Sequence, residues 1–443
     1  MGSGPGRASS AELEGLVVRT VPVADPGDLI AQLPGPGSLA WIRQGEGLAG
    51  WGEVARVTVP AGQDRFTAAD KWLRALLDGA LVEDRVGAPG CGPVAFGSFT
   101  FDSTSDGSVL ILPQVILGRR GGQAWLTTVT GEPARPDPAR PAEYGPERCG
   151  PDQARLADVP APRPPVPGLI RWHDGSRTAL QWERAVATAV DRIKAGRLQK
   201  VVLARDLYAS VSGLLDERLL LGRLAERYPD CYTFACDGLV GATPELLIRR
   251  QGLQISSLVL AGTAPRGEDR VQDAALGTAL LASAKDTEEH GYAAAGVRES
   301  LAPLCDELTV APRPALLRLA NVQHLATTIS GRLAAGADGK SPSVLALADA
   351  LHPTAAVCGT PAETAMELIR ELEGMDRGRY AGPVGWVDSA GNGEWCIALR
   401  CAELDGTRAR LFAGGGIVAD SDPAAELAET QAKFRPMQSA LES

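Results

Sequence analysis

Two glutamates and one lysine near the C-terminal end have the spacing of a binding site. Glu426, Glu429 and Lys433 are three and four residues apart, so in a helix their side chains share one face. The strand predicted before them, residues 410–418, is rich in glycine and leaves space for a ligand. Two acids and a base directed together suit a metal ion or a small anionic substrate. A solvated surface helix has the same spacing, so this segment alone leaves the choice open.

Glu289 supplies a third carboxylate, at the head of an apolar helix face. A carboxylate in that place must be paired, bound to a metal or next to a cavity, because burying it bare is costly. With Glu426 and Glu429 it gives a set of oxygen ligands of the kind that Mg²⁺ prefers. A salt bridge to a neighbouring lysine or arginine is the alternative. The apolar residues in line with Glu289 are Ala293, Val297, Leu301 and Leu304.

A further lysine and a further glutamate have the types needed for acid–base chemistry. Lys200 begins a predicted strand of apolar residues, where partial burial favours an amine that can act as a base. Glu245 lies in a turn that enters an apolar strand, where the surroundings can keep a carboxyl protonated for use as a general acid. An exposed lysine at a strand end and a turn carboxylate in water are the alternatives.

Two glycine-containing segments, residues 260–263 and 413–416, allow a ligand to approach the backbone closely. Their N–H groups can hold a carboxylate. Neither segment matches a phosphate loop or a dinucleotide-binding pattern, and the sequence contains no metalloprotease helix pair and no Gly-x-Ser-x-Gly elbow. His324, in an alternating strand, is interpreted as either a core residue or a ligand.

The composition is that of an ordinary globular protein with an acidic balance. The 443 residues are enough for a large core, 44% of them are hydrophobic, and the net charge is −10. This charge argues against nucleic-acid binding, which needs clustered lysine and arginine, but it permits a local basic site for a small anion. No stretch reaches the roughly 18 apolar residues of a membrane span. Eight scattered cysteines without a C-x-x-C pair favour the reducing cytoplasm.

The order of predicted elements indicates an α+β fold, divided unevenly by a proline-rich segment. Residues 1–14 are predicted to be a loose tail, and residues 15–130 a strand-rich part. Residues 131–167 hold eleven of the 32 prolines and are predicted to be a linker or a surface excursion before the larger part, 168–443. The predicted strands cover residues 17–21, 39–42, 50–59, 94–101, 200–205, 232–236, 254–260, 322–329, 383–387 and 395–402. The predicted helices cover residues 66–81, 178–195, 215–227, 272–304, 341–351 and 361–373, with one more from about residue 423.

A series of sequence blocks from about residue 170 to 440 resembles the chorismate-utilising enzymes, the family of anthranilate, aminodeoxychorismate, salicylate and isochorismate synthases. The blocks follow one another in the family's order, which makes the resemblance specific. It implies one large α+β body with a central antiparallel β-sandwich flanked by helices, to which both sides of the proline-rich segment contribute strands. The matching blocks are residues 199–205, 241–247, 260–263, 283–290, 322–325, 352–361, 380–386 and 421–430.

Within this family the chain is most similar to isochorismate synthases. The resemblance implies that Lys200 is the general base that activates water and that Glu245 is the general acid. It implies Mg²⁺ as the cofactor, with Glu289 and Glu429 as ligands and Glu426 acting through water. The resemblance implies chorismate as the small-molecule partner. Ammonia-using relatives usually lack a lysine at the position of Lys200, so no amidotransferase subunit is expected. The positions that match the family's substrate pocket are Gly262, Thr263, His324, Tyr380, Arg400, Gly414, Gly416 and Lys433.

Three smaller features refine the resemblance. Ala356 falls where salicylate-forming relatives tend to carry a bulkier hydroxyl residue, which favours stopping at isochorismate. Residues 48–53 and 94–102 resemble the menaquinone-pathway members more than the siderophore members. The glycine run at 414–416 departs slightly from the family's usual Gly-Ala-Gly. The alternatives are a salicylate synthase, a siderophore-pathway isochorismate synthase and a regulatory protein that binds chorismate without converting it.

Overall fold

The computed structural model describes residues 13–133, 162–336 and 341–442. Within these ranges the chain forms two large β-sheets, eight α-helices and two short 3₁₀ helices at Ile30–Gln32 and Ala302–Leu304. The strands are β1 (Leu13–Pro22), β2 (Leu39–Arg43), β3 (Glu46–Trp51), β4 (Ala55–Val59), β5 (Leu81–Asp84), β6 (Val94–Ser98), β7 (Ser108–Leu112), β8 (Val115–Arg120), β9 (Gln123–Pro133), β10 (Ile170–Asp174), β11 (Lys200–Val211), β12 (Tyr232–Cys236), β13 (Leu239–Thr243), β14 (Leu246–Gln251), β15 (Gln254–Pro265), β16 (Cys305–Val310), β17 (Ala315–Arg318), β18 (Val322–Leu333), β19 (Gly359–Thr360), β20 (Pro383–Asp388), β21 (Gly393–Ile397), β22 (Cys401–Asp405) and β23 (Arg408–Ile417). The helices are α1 (Arg65–Leu77), α2 (Ala179–Lys194), α3 (Glu217–Arg227), α4 (Arg270–Ala282), α5 (Ala284–Leu301), α6 (Val344–Leu351), α7 (Ala362–Leu372) and α8 (Pro423–Glu442).

The strands form two sheets that share one hydrophobic core. The larger sheet has the order β10-β11-β23-β22-β13-β12-β2-β3-β8-β9-β1-β5, with β19 beside β11, and the smaller has the order β16-β18-β15-β14-β21-β20-β6-β7-β4, with β17 beside β18. The β1–β5 pair is parallel, whereas the pairs that build the functional region are antiparallel. Trp41 and Phe234 of the larger sheet lie in the same core cluster as Trp386 and Trp395 of the smaller. The predicted α+β β-sandwich is confirmed.

Strands from before the proline-rich segment are built into both sheets. In the larger sheet β2 pairs with β12, and in the smaller sheet β6 pairs with β20. The two parts of the sequence therefore contribute to the same sandwich. Most of the proline-rich segment and most of the predicted tail lie outside the described residues, so the boundaries drawn at 14, 130 and 167 stay predictions.

The single helix predicted over residues 272–304 is wrong, because Ser283 divides it into α4 and α5. Ser283 is extended (φ −70°, ψ 117°), and its side chain accepts a hydrogen bond from the N–H of Asp286. Serine is a strong N-cap, so it begins a new helix here instead of continuing the old one. The break redirects the chain so that the first turn of α5 lies at the cleft described below.

Two predicted strands, 50–59 and 395–402, are also divided. Gly52 (φ +68°) lies between β3 and β4, and a Cβ at this position would come within 2.8 Å of the Cβ of Gln114. Arg400 (φ +48°) lies between β21 and β22. A left-handed backbone at a residue other than glycine is strained, and such strain concentrates at functional sites.

Helices cover the strands that carry the predicted site residues. The helix α5 packs on β15, α8 packs on β23, and α7 packs on β11. None of the described helices is both long and apolar enough to cross a membrane. The cytoplasmic location stays a prediction.

Candidate active site

A cleft where the two sheets meet brings the predicted site residues together. Its walls come from β11, β15, β23, α5, α8 and the segments around residues 356, 380 and 400, and it holds about 810 Å³, counting its open mouth. Every site residue predicted from the sequence lies on this wall except Lys200, which is fully buried. The predicted residues on the wall are Glu245, Gly262, Thr263, Glu289, His324, Ala356, Tyr380, Arg400, Gly414, Gly416, Glu426, Glu429 and Lys433.

The glycines of β23 make the space into which the carboxylates project. A Cβ at Gly416 would lie 2.3 Å from Oε1 of Glu289, so any side chain there would force this carboxylate to move. A Cβ at Gly415 would lie 3.0 Å from Oε2 of Glu426 and 4.0 Å from Oε1 of Glu429. The three carboxylates, from α5 and α8, therefore converge on two neighbouring glycines.

Each of these three carboxylates is paired with a lysine. The salt bridge considered as the alternative for Glu289 is present, and its partner is Lys200, the predicted base. The pairing keeps a group of acids close together at low net charge. The pairs are Glu289–Lys200 at 3.0 Å, Glu426–Lys285 at 3.3 Å, and Glu429–Lys433.

The start of α8 fixes the positions of its two glutamates. Asp422 caps the helix by accepting the N–H of Ala425 at 2.8 Å, while the hydroxyl of Ser421 donates to Oε1 of Glu426 at 2.7 Å. Burial raises the pKa of Glu426, and the neighbouring charge of Glu429 acts in the same direction. Burial would also raise the pKa of Glu429, but the nearby lysines and Arg400 outweigh it, so this pKa is lowered.

The three carboxylates of the cleft are donors of the type that a hard cation binds. All three donors are carboxylates, and the glycines leave the space between them free of side chains. Mg²⁺ prefers oxygen ligands of this kind. Among the described residues, no group of three or more His, Cys, Asp or Glu side chains is arranged so that it could hold a metal ion. Each carboxylate is neutralised by a lysine instead, so a bound cation would take over the role of these ammonium groups.

Lys200 lies directly behind the glycines of β23. It is the first residue of β11, is 0% exposed, and has its Cε 3.1 Å from the place where a Cβ of Gly416 would be. Its Nζ is within ion-pair distance of Glu289, but no described residue forms a well-directed hydrogen bond with it. The amine is therefore buried with unused hydrogen-bonding capacity beside the cleft.

Glu245 is held in the state that a general acid needs. It lies in the turn between β13 and β14 and is 5% exposed. Burial raises its pKa to about 8, against the opposing charges of Lys200, Arg400 and Lys433. The carboxyl is therefore mostly protonated at neutral pH. The effect of Lys200 on this pKa also shows that the predicted acid and the predicted base are near each other.

Arg400 and Tyr380 offer donors for a carboxylate. No described residue forms a hydrogen bond or an ion pair with the guanidinium of Arg400, which lies on the cleft wall. The ring of Tyr380 stacks on Phe412, with the centroids 5.0 Å apart and the planes 7° apart. Burial raises the pKa of Tyr380, so its hydroxyl keeps its proton and can donate. Arginine can donate two parallel hydrogen bonds to one carboxylate.

A bulge in β15 brings a threonine and a histidine to the cleft. Gly262 (φ +75°) is the extra residue of β15 where it pairs with β18. Next to it, Oγ1 of Thr263 is 3.1 Å from Nδ1 of His324. Burial, helped by Arg400 and Lys433, lowers the pKa of His324 to about 3, so the ring is neutral. Its Nε2 is buried without a partner among the described residues, which favours the interpretation of His324 as a ligand-binding residue.

Sequence reasoning missed several residues of the cleft. Lys285 and Asp286 precede Glu289 by four and three residues, so the spacing rule applied to α8 would have placed them on the same face. Arg377 lies four residues after Glu373, but only the structure shows that this pair is buried behind the wall. Other wall residues that were not predicted are Val202, Pro244, Val357, Ala381 and Leu399. Leu260, Ala261 and Gly415 lie in the two glycine-containing segments that were predicted to approach a ligand.

The chain is similar to a family model, to curated proteins and to a solved structure. The family model described as "Chorismate binding enzyme" matches residues 24–442. The isochorismate synthase DhbC of Bacillus subtilis is 42% identical over 271 residues, which are 59% of this chain and 67% of that protein. The isochorismate synthase MenF of the same organism is 40% identical over 264 residues, 59% of this chain and 55% of that protein. The solved structure of MenF, the menaquinone-specific isochorismate synthase of Escherichia coli, superimposes with a TM-score of 0.76 at 26% identity and covers 98% of this chain and 97% of that one.

Proposed function

Because the chain belongs to the chorismate-binding enzyme family, we propose that it is an isochorismate synthase, an isomerase that converts chorismate to isochorismate. One observation carries the proposal: Glu245, a carboxyl whose pKa burial raises to about 8, lies on the wall of the cleft, and the amine of Lys200 is buried directly behind Gly416 of the same wall. The similarity to proteins named isochorismate synthase supports the same activity.

The reaction moves a hydroxyl group from C4 to C2 of the ring. Lys200, in its neutral amine form, takes a proton from a water molecule, whose oxygen forms a bond to C2. The ring double bonds shift, the C4–O bond breaks, and Glu245 gives its proton to the departing hydroxyl group. One water is added and one is released, so substrate and product are isomers. Each positioned acid or base is worth on the order of 10²- to 10⁴-fold in rate.

The remaining wall residues orient the substrate. Arg400 and Tyr380 hold the enolpyruvyl carboxylate. No described residue forms a hydrogen bond or an ion pair with the guanidinium of Arg400, so its donors are available to the substrate. His324 of β18 and the backbone around Gly262 and Thr263 in the bulge of β15 contact the ring. These contacts fix the ring between the amine and the carboxyl. The reacting groups are therefore already oriented, which lowers the entropic part of the activation barrier.

Mg²⁺ is the cofactor of the proposal. Glu289 and Glu429 would hold it, with Glu426 contributing through water. When bound, the cation supplies positive charge that neutralises the ring carboxylate of chorismate. Without this charge, the substrate carboxylate would lie beside the three glutamates that converge on the glycines of β23.

Removing divalent cations should stop turnover, and added Mg²⁺ should restore it. The enzyme is dialysed against EDTA, assayed with chorismate, and assayed again after Mg²⁺ is added. Calorimetric titration with Mg²⁺ gives a second readout that does not depend on activity.

Glu429→Gln should weaken Mg²⁺ binding by about 10- to 100-fold or more, the range seen even for residues that only support a ligand. Full turnover in excess EDTA, or equal Mg²⁺ affinity of the variant, would contradict the metal assignment.

Gly416→Ala should lower kcat by about 10- to 100-fold, because displacements of about 1 Å near the reacting groups have effects of this size. The added methyl group would overlap Oε1 of Glu289 and come close to Cε of Lys200. The matched control is Gly222→Ala in α3, where a Cβ meets no atom within 4 Å. Steady-state rates and thermal unfolding of both variants are compared with the wild type. Equal rates for Gly416→Ala and Gly222→Ala would show that a glycine at position 416 is not needed for turnover.

Salicylate synthase is the second candidate, since it would add elimination of pyruvate after the same first step. Ala356 on the cleft wall argues for release of isochorismate. Chromatography of the products formed from chorismate and Mg²⁺ separates the two candidates. An ammonia-using synthase predicts anthranilate-type products with ammonium ions, and a regulatory protein predicts binding without any product.

Menaquinone synthesis is the pathway we propose for the product. Support comes from the similarity to two proteins named MenF and from the sequence of residues 48–53 and 94–102. The genes that neighbour this one, or a strain in which it is deleted, test the assignment to menaquinone synthesis. Loss of menaquinone in the deletion strain is the expected result, and loss of a catechol siderophore alone would contradict it.

A further inference from the structure

One edge of β11 has a gap in its strand pairing. Along its other edge β11 pairs with β23 from Val201 to Ser210. On the gapped edge, β19 pairs with Lys200 and Val201, and β10 pairs with residues 207–211. Residues 202–206 between them have no strand partner on this side. The gap begins two residues after the predicted base.

Side chains and a loop satisfy the backbone groups in this gap. The N–H of Val202 donates to the carbonyl of Cys358 at 2.7 Å, and the carbonyl of Val202 accepts from Nη2 of Arg377 at 2.8 Å. The N–H of Ala204 donates to Oε1 of Glu373 at 2.7 Å, and its carbonyl accepts from Nε1 of Trp182 at 3.3 Å. Glu373 and Arg377 thus take the place of a missing strand.

Arg377 also connects this strand to two other parts of the cleft wall. Its Nη1 donates to the carbonyl of Val357 at 2.9 Å, beside Ala356. Its own carbonyl accepts the N–H of Tyr380 at 3.1 Å. Its guanidinium lies 4.0 Å from the ring centroid of Phe101. One side chain therefore contacts the backbone that follows the base, the loop of Ala356, and a buried aromatic ring.

The Glu373–Arg377 pair is almost completely dehydrated. The two side chains are 1% and 2% exposed, and three hydrogen bonds of 2.5 to 3.2 Å join them. A buried ion pair of this kind often stabilises a fold no better than apolar residues of the same volume. Its directed hydrogen bonds, by contrast, fix the relative positions of the groups it joins. Stability alone is therefore a weak explanation for the pair.

We propose that Glu373 and Arg377 are positioning residues for the reaction. The inference rests on the proposed function, since the groups that the pair positions are those of chorismate conversion. The two side chains hold the backbone that follows Lys200 and the loop of Ala356 in one geometry by tying these two segments together. They contact neither the reacting atoms nor the acid Glu245.

The test compares Arg377→Met with a control at a second buried ion pair. Arg218 and Asp216 are 7% and 3% exposed and 2.6 Å apart, and Arg218 donates to the carbonyls of Leu33 and Pro162 rather than to the cleft. Arg377→Met should lower kcat by about 10²-fold, the effect of a displacement of about 1 Å, with a smaller change in KM. Arg218→Met should lose comparable thermal stability and keep kcat within about twofold, since it contacts no group of the cleft.

Arg377→Lys separates charge from geometry. A lysine keeps a positive charge beside Glu373, but its single ammonium cannot reproduce the planar fork that reaches both Val202 and Val357. We expect kcat of Arg377→Lys to stay low although its thermal stability recovers. Glu373→Gln, which keeps an acceptor for the N–H of Ala204, should be affected less than Arg377→Met and serves if Arg377→Met does not fold.

Hydrogen exchange gives a readout that does not depend on turnover. Amides of residues 200–206 should exchange faster in Arg377→Met than in the wild type, and at the wild-type rate in Arg218→Met. A wild type that does not convert chorismate would refute the proposed function but would leave this readout intact. Unchanged exchange in Arg377→Met, or a kcat equal to that of Arg218→Met, would overturn the positioning role.

Discussion

Glu245→Gln should reduce kcat by about 10²- to 10⁴-fold while the fold is retained, because glutamine cannot protonate the leaving hydroxyl. The change preserves the shape of a side chain that is 5% exposed and removes only its proton chemistry. Steady-state kinetics and circular dichroism of the purified variant measure the two effects. This is the first of the two largest effects we expect.

Glu217→Gln is the matched control for this substitution. Glu217 is also a buried carboxyl whose pKa is raised by burial, but it accepts the N–H of Ser38 and does not line the cleft. Its glutamine variant should keep wild-type kcat. If Glu245→Gln retained turnover comparable to Glu217→Gln, the general-acid role would be wrong.

The pH dependence should follow the same carboxyl. Burial raises the pKa of Glu245 to about 8, so kcat/KM should fall above that pH by about tenfold per pH unit as the proton is lost. Folding stability has the same sign: a carboxyl whose folded pKa lies above its unfolded value favours the folded state at low pH, and this contribution is lost as the pH rises through about 8. Glu245→Gln should therefore resist unfolding at pH 9 better than the wild type. A wild-type rate that stays constant from pH 7 to 10 would contradict this assignment.

Lys200→Met should reduce kcat by about 10²- to 10⁴-fold as well, because methionine cannot accept a proton from the attacking water. Methionine fills most of the volume of a side chain that is 0% exposed. The substitution leaves Glu289 without its ammonium partner at 3.0 Å, so some loss of stability is expected too.

A double variant separates the two consequences. Lys200→Met with Glu289→Gln removes both charges, so its thermal stability should recover relative to Lys200→Met alone. Its turnover should stay low, since both the base and a proposed Mg²⁺ ligand are missing. Recovery of turnover in the double variant would show that the loss in Lys200→Met comes from an unbalanced charge and that Lys200 is not the base.

The local spacing of residues predicted the parts of the site that lie on one helix face. Glu426, Glu429 and Lys433 line the cleft as their intervals of three and four require. Glu289 was predicted to be paired, bound to a metal or next to a cavity, and it is both paired with Lys200 and on the cleft wall. The long-range order of motifs, through the family resemblance, predicted the sandwich and, as site residues, 13 of the 24 residues of the wall.

Features that depend on tertiary packing could not be derived from the sequence. The break at Ser283 competes with strong helix propensity on both sides, and the hydrogen bond to Asp286 decides it. The raised pKa of Glu245 results from burial by distant segments. The gap in β11 becomes visible only when three strands are assembled around it, so Arg377 showed no signal beyond its spacing from Glu373.

Isotope labelling tests the central claim most directly. The purified enzyme is incubated with chorismate and Mg²⁺ in water enriched in ¹⁸O, and the product is examined by mass spectrometry and NMR. Attack of water activated by Lys200 predicts isochorismate with one ¹⁸O, located on C2. Isochorismate that carries only the original oxygen, or no isochorismate at all, would contradict the account.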